Sequence, residues 1–195
     1  MEFSSSTSTM NSEEQSKYVN QMNNTKEEFY NENKKNVVFK NKQKIECAKH
    51  VNQSMELAKM IQCTAVRIPN TNIIYYNYMI FKTYACDEVK EPVYRYIIQL
   101  IGSVLKEYDN FEFHVNLKTF TISAVHRYKN IIASIFDENQ SFTTQMSRLC
   151  IYHTPSIIDT INKVLYSSIR DILPKATYHH KESDQLIEKL FENYN

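Results

Sequence analysis

Glycine is almost missing from this sequence, since Gly102 is the only one among 195 residues. Phosphate-binding loops and dinucleotide-binding turns need several glycines, because backbone amides must approach the phosphate without an intervening side chain. The sequence therefore excludes a P-loop or a G-x-G-x-x-G nucleotide site. Tryptophan is missing as well. The many asparagines, isoleucines, lysines and tyrosines are typical of AT-rich genomes, such as those of protists and of the large DNA viruses that infect them.

The sequence also lacks a dominant charge, a cysteine motif and a long apolar run. Lys and Arg number 23 against 22 Asp and Glu, so no overall field attracts nucleic acid, and we expect no nucleic-acid partner. The four cysteines form no C-x-x-C pair, which indicates reduced thiols in a cytosolic protein. No run reaches the roughly 18 apolar residues of a membrane-spanning helix, and the N-terminus does not resemble a signal peptide. We therefore expect a cytoplasmic protein.

Residues 1–36 are predicted to form a polar arm ahead of a single domain over residues 37–195. The arm begins with low-complexity Ser and Thr and has too few apolar residues to offset the entropy of ordering. Its few apolar residues between Glu13 and Asn33 fall at helical spacing, so a helix is allowed there. The segment is interpreted either as a solvated, disordered arm or as an arm that docks onto a protein partner.

Hydrophobic periodicity after the arm predicts alternating strands and helices. Helices are predicted over residues 44–62, 92–108, 121–135, 156–173 and 184–194. Strands are predicted over residues 72–85, 111–117, 149–152 and 176–179, the first of them apolar on both faces, and residues 37–39 form either an edge strand or the anchor of the arm. Because parallel strands need a crossover that returns over the sheet, this order predicts an α/β fold with one small mixed or parallel sheet flanked by helices.

Two segments resemble the CRAL-TRIO lipid-transfer family. Residues 111–119, F-E-F-H-V-N-L-K-T, are similar to that family's apolar strand with its D-L-K-G or D-x-x-G turn, and residues 121–123 to the Ser-rich start of its next helix. Residues 146–155, M-S-R-L-C-I-Y-H-T-P, resemble its basic residue, apolar strand and N-x-P turn. In the family an amphipathic helix that gates the lipid pocket follows, and residues 175–179 fit the next short strand. The resemblance covers about residues 73–193.

The sequence departs from the family pattern at several positions. Asn116 stands in place of the usual Asp, Thr119 in place of the Gly, and His153 in place of the Asn of the turn. Residues 142–145, F-T-T-Q, replace the family's Y-P-E-R and lose the acid that helps to hold an inositol headgroup in phosphoinositide-binding members. The N-terminal three-helix lobe and the L-P-x-x-x-G-G ending have no clear counterpart. A weaker resemblance is to STAS domains, which share a related alternation and bind protein partners.

The resemblance implies a lipid pocket, and the apolar residues alone allow the same interpretation. Sheet faces and the helix over residues 156–173 would supply the lipid-binding side chains, which are Tyr75, Tyr78, Ile80, Phe113, Ile151, Ile158, Ile161 and Leu165. Lifting of the helix would open an apolar cavity, in which each buried CH2 of an acyl chain contributes about 0.8 kcal/mol. Cations at strand or helix ends are the headgroup candidates, namely Lys118, Arg148, Lys163 and Lys175. In the alternative interpretation the helix only packs on the sheet.

No catalytic or metal site is predicted. His179 and His180 are adjacent, so their rings diverge in a strand or a helix and do not easily share a metal ion. His114 has no matching nucleophile, and Cys150 lies in an apolar strand, where we expect it to be buried and inert instead of forming a dyad with His153. We therefore expect no enzyme, and no cofactor other than a bound lipid.

Two functions remain open from the sequence. The first is a non-enzymatic lipid-binding or lipid-transfer protein that shields a hydrophobic ligand or phospholipid and exchanges it as a peripheral membrane protein. The second is a structural or interaction module, such as a virion or assembly component, that keeps the fold with a filled pocket. In that case the protein partner is bound through residues 1–36.

Overall fold

The computed structural model describes residues 12–33, 40–137 and 140–192. The helices are α1 (Ser12–Glu32), α2 (Lys40–Ser54), α3 (Leu57–Thr64), α4 (Tyr78–Tyr84), α5 (Lys90–Leu105), α6 (Ile122–Asp137), α7 (Gln140–Gln145), α8 (Ile158–Ile169) and α9 (Ser183–Glu192). The strands are β1 (Ala65–Arg67), β2 (Ile73–Asn77), β3 (Phe111–Asn116), β4 (Met146–Tyr152) and β5 (Ala176–Tyr178). Short 3-10 helices lie at Asp87–Val89 and Leu173–Lys175.

The chain divides into two compact units. One comprises the described residues up to Thr64 together with Ile80–Val93, and the other comprises Ala65–Met79 together with the described residues from Tyr94 onward. None of the helices within the described ranges is long and apolar enough to cross a membrane.

The first unit contains α1, α2 and α3, and α1 packs against both of the other helices. Met22 of α1 and Val51 of α2 are 1% and 0% exposed. The hydroxyl of Tyr18 accepts a hydrogen bond from the amide of Glu56 at 3.0 Å. The helix that the sequence allowed between residues 13 and 33 is thus present as α1, and its apolar side lies inside this unit.

The second unit is built on a five-stranded sheet with the order β1-β2-β3-β4-β5. Strands β2 to β5 are parallel, and β1 runs antiparallel to β2. Because spatial order follows chain order, right-handed crossovers place successive helices on the same face of the sheet. In agreement, α6 packs against α8, and the side-chain amide of Asn162 in α8 donates a hydrogen bond to the Tyr178 hydroxyl of β5 at 3.2 Å. The predicted α/β fold with one small mixed sheet flanked by helices is confirmed.

The strand register gives the two faces of this sheet different chemistry. Successive residues of a strand point to opposite faces, and cross-strand partners share a face. The face that we call the apolar face holds Ile74, Phe113, Val115, Leu149, Ile151 and Tyr178. The face that we call the polar face holds Tyr75, Glu112, His114, Asn116, Arg148, Cys150 and Tyr152. Helix α9 covers part of the polar face, where the rings of Tyr75 and Phe191 lie 5.1 Å apart.

The strand predicted over residues 72–85 is wrong beyond Asn77. Strand β2 ends at Asn77 and α4 begins at Tyr78, so Tyr78 and Ile80 lie on a helix and not on the sheet. The side-chain oxygen of Asn77 accepts a hydrogen bond from the amide of Met79 at 3.0 Å. This N-cap bond satisfies one of the free amides of the first helical turn. The aromatic and β-branched composition favoured a strand, but strand propensity depends on context and gives way here.

Smaller differences concern the number and the ends of elements. The single helix predicted over residues 44–62 is two helices, α2 and α3. Strand β1 was not predicted, because three residues are too few to show a period. The helix predicted over residues 156–173 ends at Ile169, and Pro174 lies in the following 3-10 helix. The predictions for residues 37–39 and for the end of the last helix, 193–194, lie outside the described residues.

Candidate functional site

The residues predicted to line a lipid pocket lie in several different surroundings. Phe113 and Ile151 lie on the apolar face, at 6% and 8% exposure. Ile161 and Leu165 lie on the buried side of α8, the helix whose contact with Tyr178 places it on that face. These four residues are the part of the predicted pocket that the structure brings together.

The other predicted lipid residues are placed elsewhere. Tyr75 lies on the polar face, where burial raises its pKa to about 12. Tyr78 packs its ring against Phe120, at 4.7 Å between centroids. Ile80 belongs to the first unit and is half-buried, and Ile158 is half-buried in the first turn of α8.

The four headgroup candidates differ in how their charges are used. Lys175 donates hydrogen bonds to three backbone carbonyl oxygens, at 2.7 Å to Thr143, 3.2 Å to Thr144 and 2.6 Å to Met146. Its ammonium group therefore holds the chain where α7 meets β4. Lys163 lies at the surface of α8.

Lys118 and Arg148 are held in ion pairs. Lys118 lies 3.2 Å from Asp184, and Arg148 lies 3.8 Å from Glu112. The hydrogen bond from Lys118 lowers the pKa of the Asp184 carboxyl, and His153 lowers it further. These pairings leave Lys163 as the headgroup candidate beside the exposed side of α8.

A groove of about 520 Å³ runs along α8, lined by Asp159, Asn162, Lys163 and Tyr166. Their spacing of three, four and seven residues puts them on one side of the helix. The large hydrophobic side chains that are exposed among the described residues all lie on or just before α8: Ile157 at 36%, Val164 at 38% and Tyr166 at 59%. Tyr166 lines the groove, whereas Ile157 and Val164 lie at the edge of the apolar stripe that contains Ile161 and Leu165.

A second cluster of polar side chains, which we call the polar row, lies on the polar face and contains Glu112, His114, Cys150 and Tyr152. His114 is 5% exposed, and its Nδ1 lies 2.8 Å from the Tyr152 hydroxyl while its Nε2 lies 3.1 Å from a carboxylate oxygen of Glu112. Burial lowers the pKa of His114 more than the Glu112 carboxylate raises it. The imidazole is therefore neutral at neutral pH, and a neutral ring offers one donor and one acceptor nitrogen.

Cys150 completes this row on the adjacent strand. It is the cross-strand partner of His114 and is 4% exposed. Burial raises the pKa of its thiol to about 11, so the group is protonated at neutral pH. Glu112, His114 and Cys150 each offer one atom able to bind a metal ion, and these atoms lie within 4.8 Å of one another.

The carboxyl ends of β3 and β4 carry residues in the left-handed backbone region. Thr119 has φ = 66° and His153 has φ = 51°. The His153 amide donates a hydrogen bond to the Ser183 hydroxyl at 2.8 Å, and its Nε2 lies 3.0 Å from Asp184. Ligands of parallel sheets bind at this edge, and strained backbone concentrates at functional positions. These contacts tie the end of β4 to the start of α9.

Sequence reasoning missed the polar row, although a signal for it was present. Glu112, His114 and Asn116 alternate with Phe113 and Val115 in β3, so three polar side chains share the face opposite the apolar ones. Which residues of β4 meet them depends on strand register, which is not readable from one strand.

The chain matches no family model, no curated protein and no solved structure. Its function is therefore inferred from the geometry of the described residues.

Proposed function

We propose that the protein binds a lipid between α8 and the apolar face of the sheet. The observation that carries this proposal is that the apolar stripe of α8, which Ile157 extends by one residue at the N-cap, is only partly buried. Ile161 and Leu165 are 3% and 7% exposed, whereas Ile157 and Val164 are 36% and 38% exposed. A helix of this kind suits a segment that covers an apolar surface in one state and contacts lipid in another.

The surface beneath α8 has the character that an acyl chain requires. Phe113 and Ile151 lie on the apolar face, and displacement of α8 would expose them together with Ile161 and Leu165. Each CH2 group of an acyl chain buried there would contribute about 0.8 kcal/mol. The left-handed residue His153 lies shortly before α8, and hinges are commonly a few residues at element ends.

Lys163 lies on the side of α8 opposite Ile161 and Leu165, so in this arrangement it would meet anionic headgroups at the membrane surface while the acyl chain lies beneath the helix. The groove there is also lined by Asp159, Asn162 and Tyr166. An ammonium group that serves as a point charge suits a phosphate or carboxylate headgroup at a water-exposed site. The proposed ligand is thus an anionic lipid with at least one acyl chain.

The first experiment is native mass spectrometry of the purified full chain, followed by organic extraction of any bound lipid. Binding to phosphatidylcholine vesicles with and without phosphatidylserine is then measured by co-sedimentation. We expect one lipid per chain and stronger binding to the anionic vesicles. Photolabelling with a diazirine fatty acid should mark peptides from α8 and β4.

The matched variants keep the buried side of α8 intact. Ile157→Ser with Val164→Ser removes the two partly exposed aliphatic side chains at the edge of the apolar stripe, and we expect vesicle affinity to fall about tenfold or more. Leu186→Ser removes a half-buried apolar side chain from α9 and should leave binding unchanged. Equal binding by the double variant and the unchanged chain would count against the role of α8.

The alternative function is an interaction module that docks through residues 1–36. Lipid binding would give way to this alternative if the chain carries no lipid, takes none from vesicles and self-associates through contacts of residues 1–36. Light scattering of the full chain, with chemical cross-links mapped by mass spectrometry, distinguishes the two functions, because deletion of residues 1–36 would also remove α1 and its buried Met22.

A further inference from the structure

Three metal-binding side chains meet on the polar face, away from the apolar face that the proposed lipid would use. Glu112 and His114 are two residues apart on β3, so both point to the same face. Cys150 lies opposite His114 on β4. The donor atoms Glu112 Oε2 and His114 Nε2 are 3.1 Å apart.

We propose that Glu112, His114 and Cys150 bind a divalent transition-metal ion of the Zn²⁺ type. Carboxylate oxygen and imidazole nitrogen bind Zn²⁺ at about 2.0–2.2 Å and thiolate sulfur at about 2.3 Å. A tetrahedron with these bonds has ligand-to-ligand distances of about 3.3–3.7 Å. Since the donor atoms already lie within 4.8 Å of one another, side-chain movements of about 1 Å close the site. This site differs from the sequence-based expectation that the chain holds no metal.

The chemistry of the donor set selects the class of ion. A thiolate and an imidazole favour Zn²⁺, Co²⁺ and similar ions, whereas Mg²⁺ and Ca²⁺ prefer oxygen ligands. Three protein ligands leave a fourth position for water or for an added ligand, as at zinc sites that are not purely structural.

Tyr152 supplies the contact that orients the histidine. A metal-bound imidazole commonly donates its other N–H to a fixed acceptor, and the Tyr152 hydroxyl lies 2.8 Å from His114 Nδ1. Without metal, the Nε2 proton of the neutral ring is donated to Glu112. With metal, Nε2 binds the ion, the ring proton resides on Nδ1, and Nδ1–H donates to the Tyr152 oxygen.

The proton balance of binding follows from these states. The His114 ring is neutral before and after the ion binds. The Cys150 thiol must lose its proton to become a ligand, so one proton is released to solvent for each ion bound. The titratable or charged groups that interact with these three residues are Arg148, Tyr152 and His179. Tyr75 acts on Tyr152, and Asp184 acts on Tyr75, so both are one step further away.

Arg148 is the group that opposes metal binding. Its guanidinium lies 3.8 Å from Glu112, and its side chain is 58% exposed against 24% for Glu112. A cation at this distance repels a metal ion and competes for the carboxylate. The exposed guanidinium can turn into solvent when an ion enters, so Arg148→Gln should tighten metal binding.

The test uses the purified full chain, stripped with a chelator and titrated with Co²⁺. A Co²⁺–thiolate bond gives a charge-transfer band in the near ultraviolet, and we expect it to saturate at one equivalent and to disappear when Zn²⁺ is added. Cys150→Ser should remove the band. Cys63→Ser is the matched control, because Cys63 is a buried thiol of the first unit, and this variant should keep the band.

Further variants separate binding from folding, which circular dichroism monitors in each case. Tyr152→Phe should weaken Co²⁺ binding about 10- to 100-fold with the band intact, as expected for loss of a contact that orients a ligand. Glu112→Gln changes a side chain that is 24% exposed and should weaken binding at least as much. No thiolate band in the unchanged chain, or an equal band in folded Cys150→Ser, would overturn the proposal. If Cys150→Ser does not fold, undiminished affinity in folded Glu112→Gln would overturn it.

Discussion

Thr119 is a β-branched residue in a backbone conformation that normally belongs to glycine. Its φ of 66° places Cβ against the following carbonyl, which costs roughly 1–2 kcal/mol for an L-residue. Its side chain is exposed, and its hydroxyl donates a hydrogen bond to the sulfur of Met79, a weak acceptor, at 3.2 Å. We expect the local strain to exceed what an exposed side chain contributes.

We predict that Thr119→Gly raises the free energy of unfolding by about 0.5–1 kcal/mol, after the greater entropy of glycine in the unfolded chain is subtracted. Urea denaturation measures the change. Asn70 also has a positive φ, of 57°, and is exposed. Because asparagine tolerates this region, Asn70→Gly should change stability by less. A loss of stability in Thr119→Gly would mean that the hydroxyl contact outweighs the strain.

For single residues, burial could be predicted from the sequence but cross-strand neighbours could not. Cys150 was predicted to be buried, and it is 4% exposed. That it lies opposite His114 follows from the register of β3 and β4, which is decided by packing over the whole sheet. The sequence alone therefore does not show that Cys150 and His114 are close in space.

At the scale of elements, α8 has two neighbouring residues with opposite surroundings. Leu165 is 7% exposed and Val164 is 38% exposed. We predict that Leu165→Ala lowers the free energy of unfolding by about 2–4 kcal/mol, because it removes buried methyl groups and leaves a cavity. Val164→Ala should change it by less than about 0.5 kcal/mol. Urea denaturation of both variants checks this.

The size of the Leu165→Ala effect shows how tightly α8 is packed in the folded state. A small effect of Leu165→Ala, similar to that of Val164→Ala, would mean that the buried side of α8 contributes little to the folded state. The helix would then be loosely packed in solution, and the assignment of its closed position would be wrong. The predicted difference corresponds to a helix that opens only when a lipid surface replaces the contacts it loses.

Long periodic elements were predictable, and short or capped ones were not. The helix around residues 121–135 and the strand at residues 111–117 appear close to their predicted bounds, as α6 and β3. Both carry a clear apolar period of 3.6 or 2. The run that begins at Ile73 shows no such period, because it has apolar residues on both faces. The N-cap bond to Asn77 marks where the strand ends and α4 begins.

At the scale of the whole molecule, the parallel arrangement of the sheet was predictable but its two faces were not. Alternating strands and helices imply crossovers, and β2 to β5 are parallel as expected. A strand order that follows the chain puts successive crossover helices on one face. The other face is therefore left to α9, where the polar row lies.

The strand lengths predict a gradient of stability across the sheet. β3 and β4 have paired strands on both sides, whereas β1 and β5 are three-residue strands paired on one side. We expect the backbone amides of β3 and β4 to exchange with deuterium slowest, and those of β1 and β5 roughly tenfold or more faster. Hydrogen exchange followed by mass spectrometry of peptides measures this.

Equal protection of β5 and β3 would contradict this gradient and would require something to cover the edge of β5 in solution. Unpaired edge strands readily pair with another chain. If that chain were a second copy, protection of β5 would fall on dilution while that of β3 would not change. The same measurement with anionic vesicles tests the lipid proposal, because opening of α8 would alter exchange in α8 and leave β3 protected.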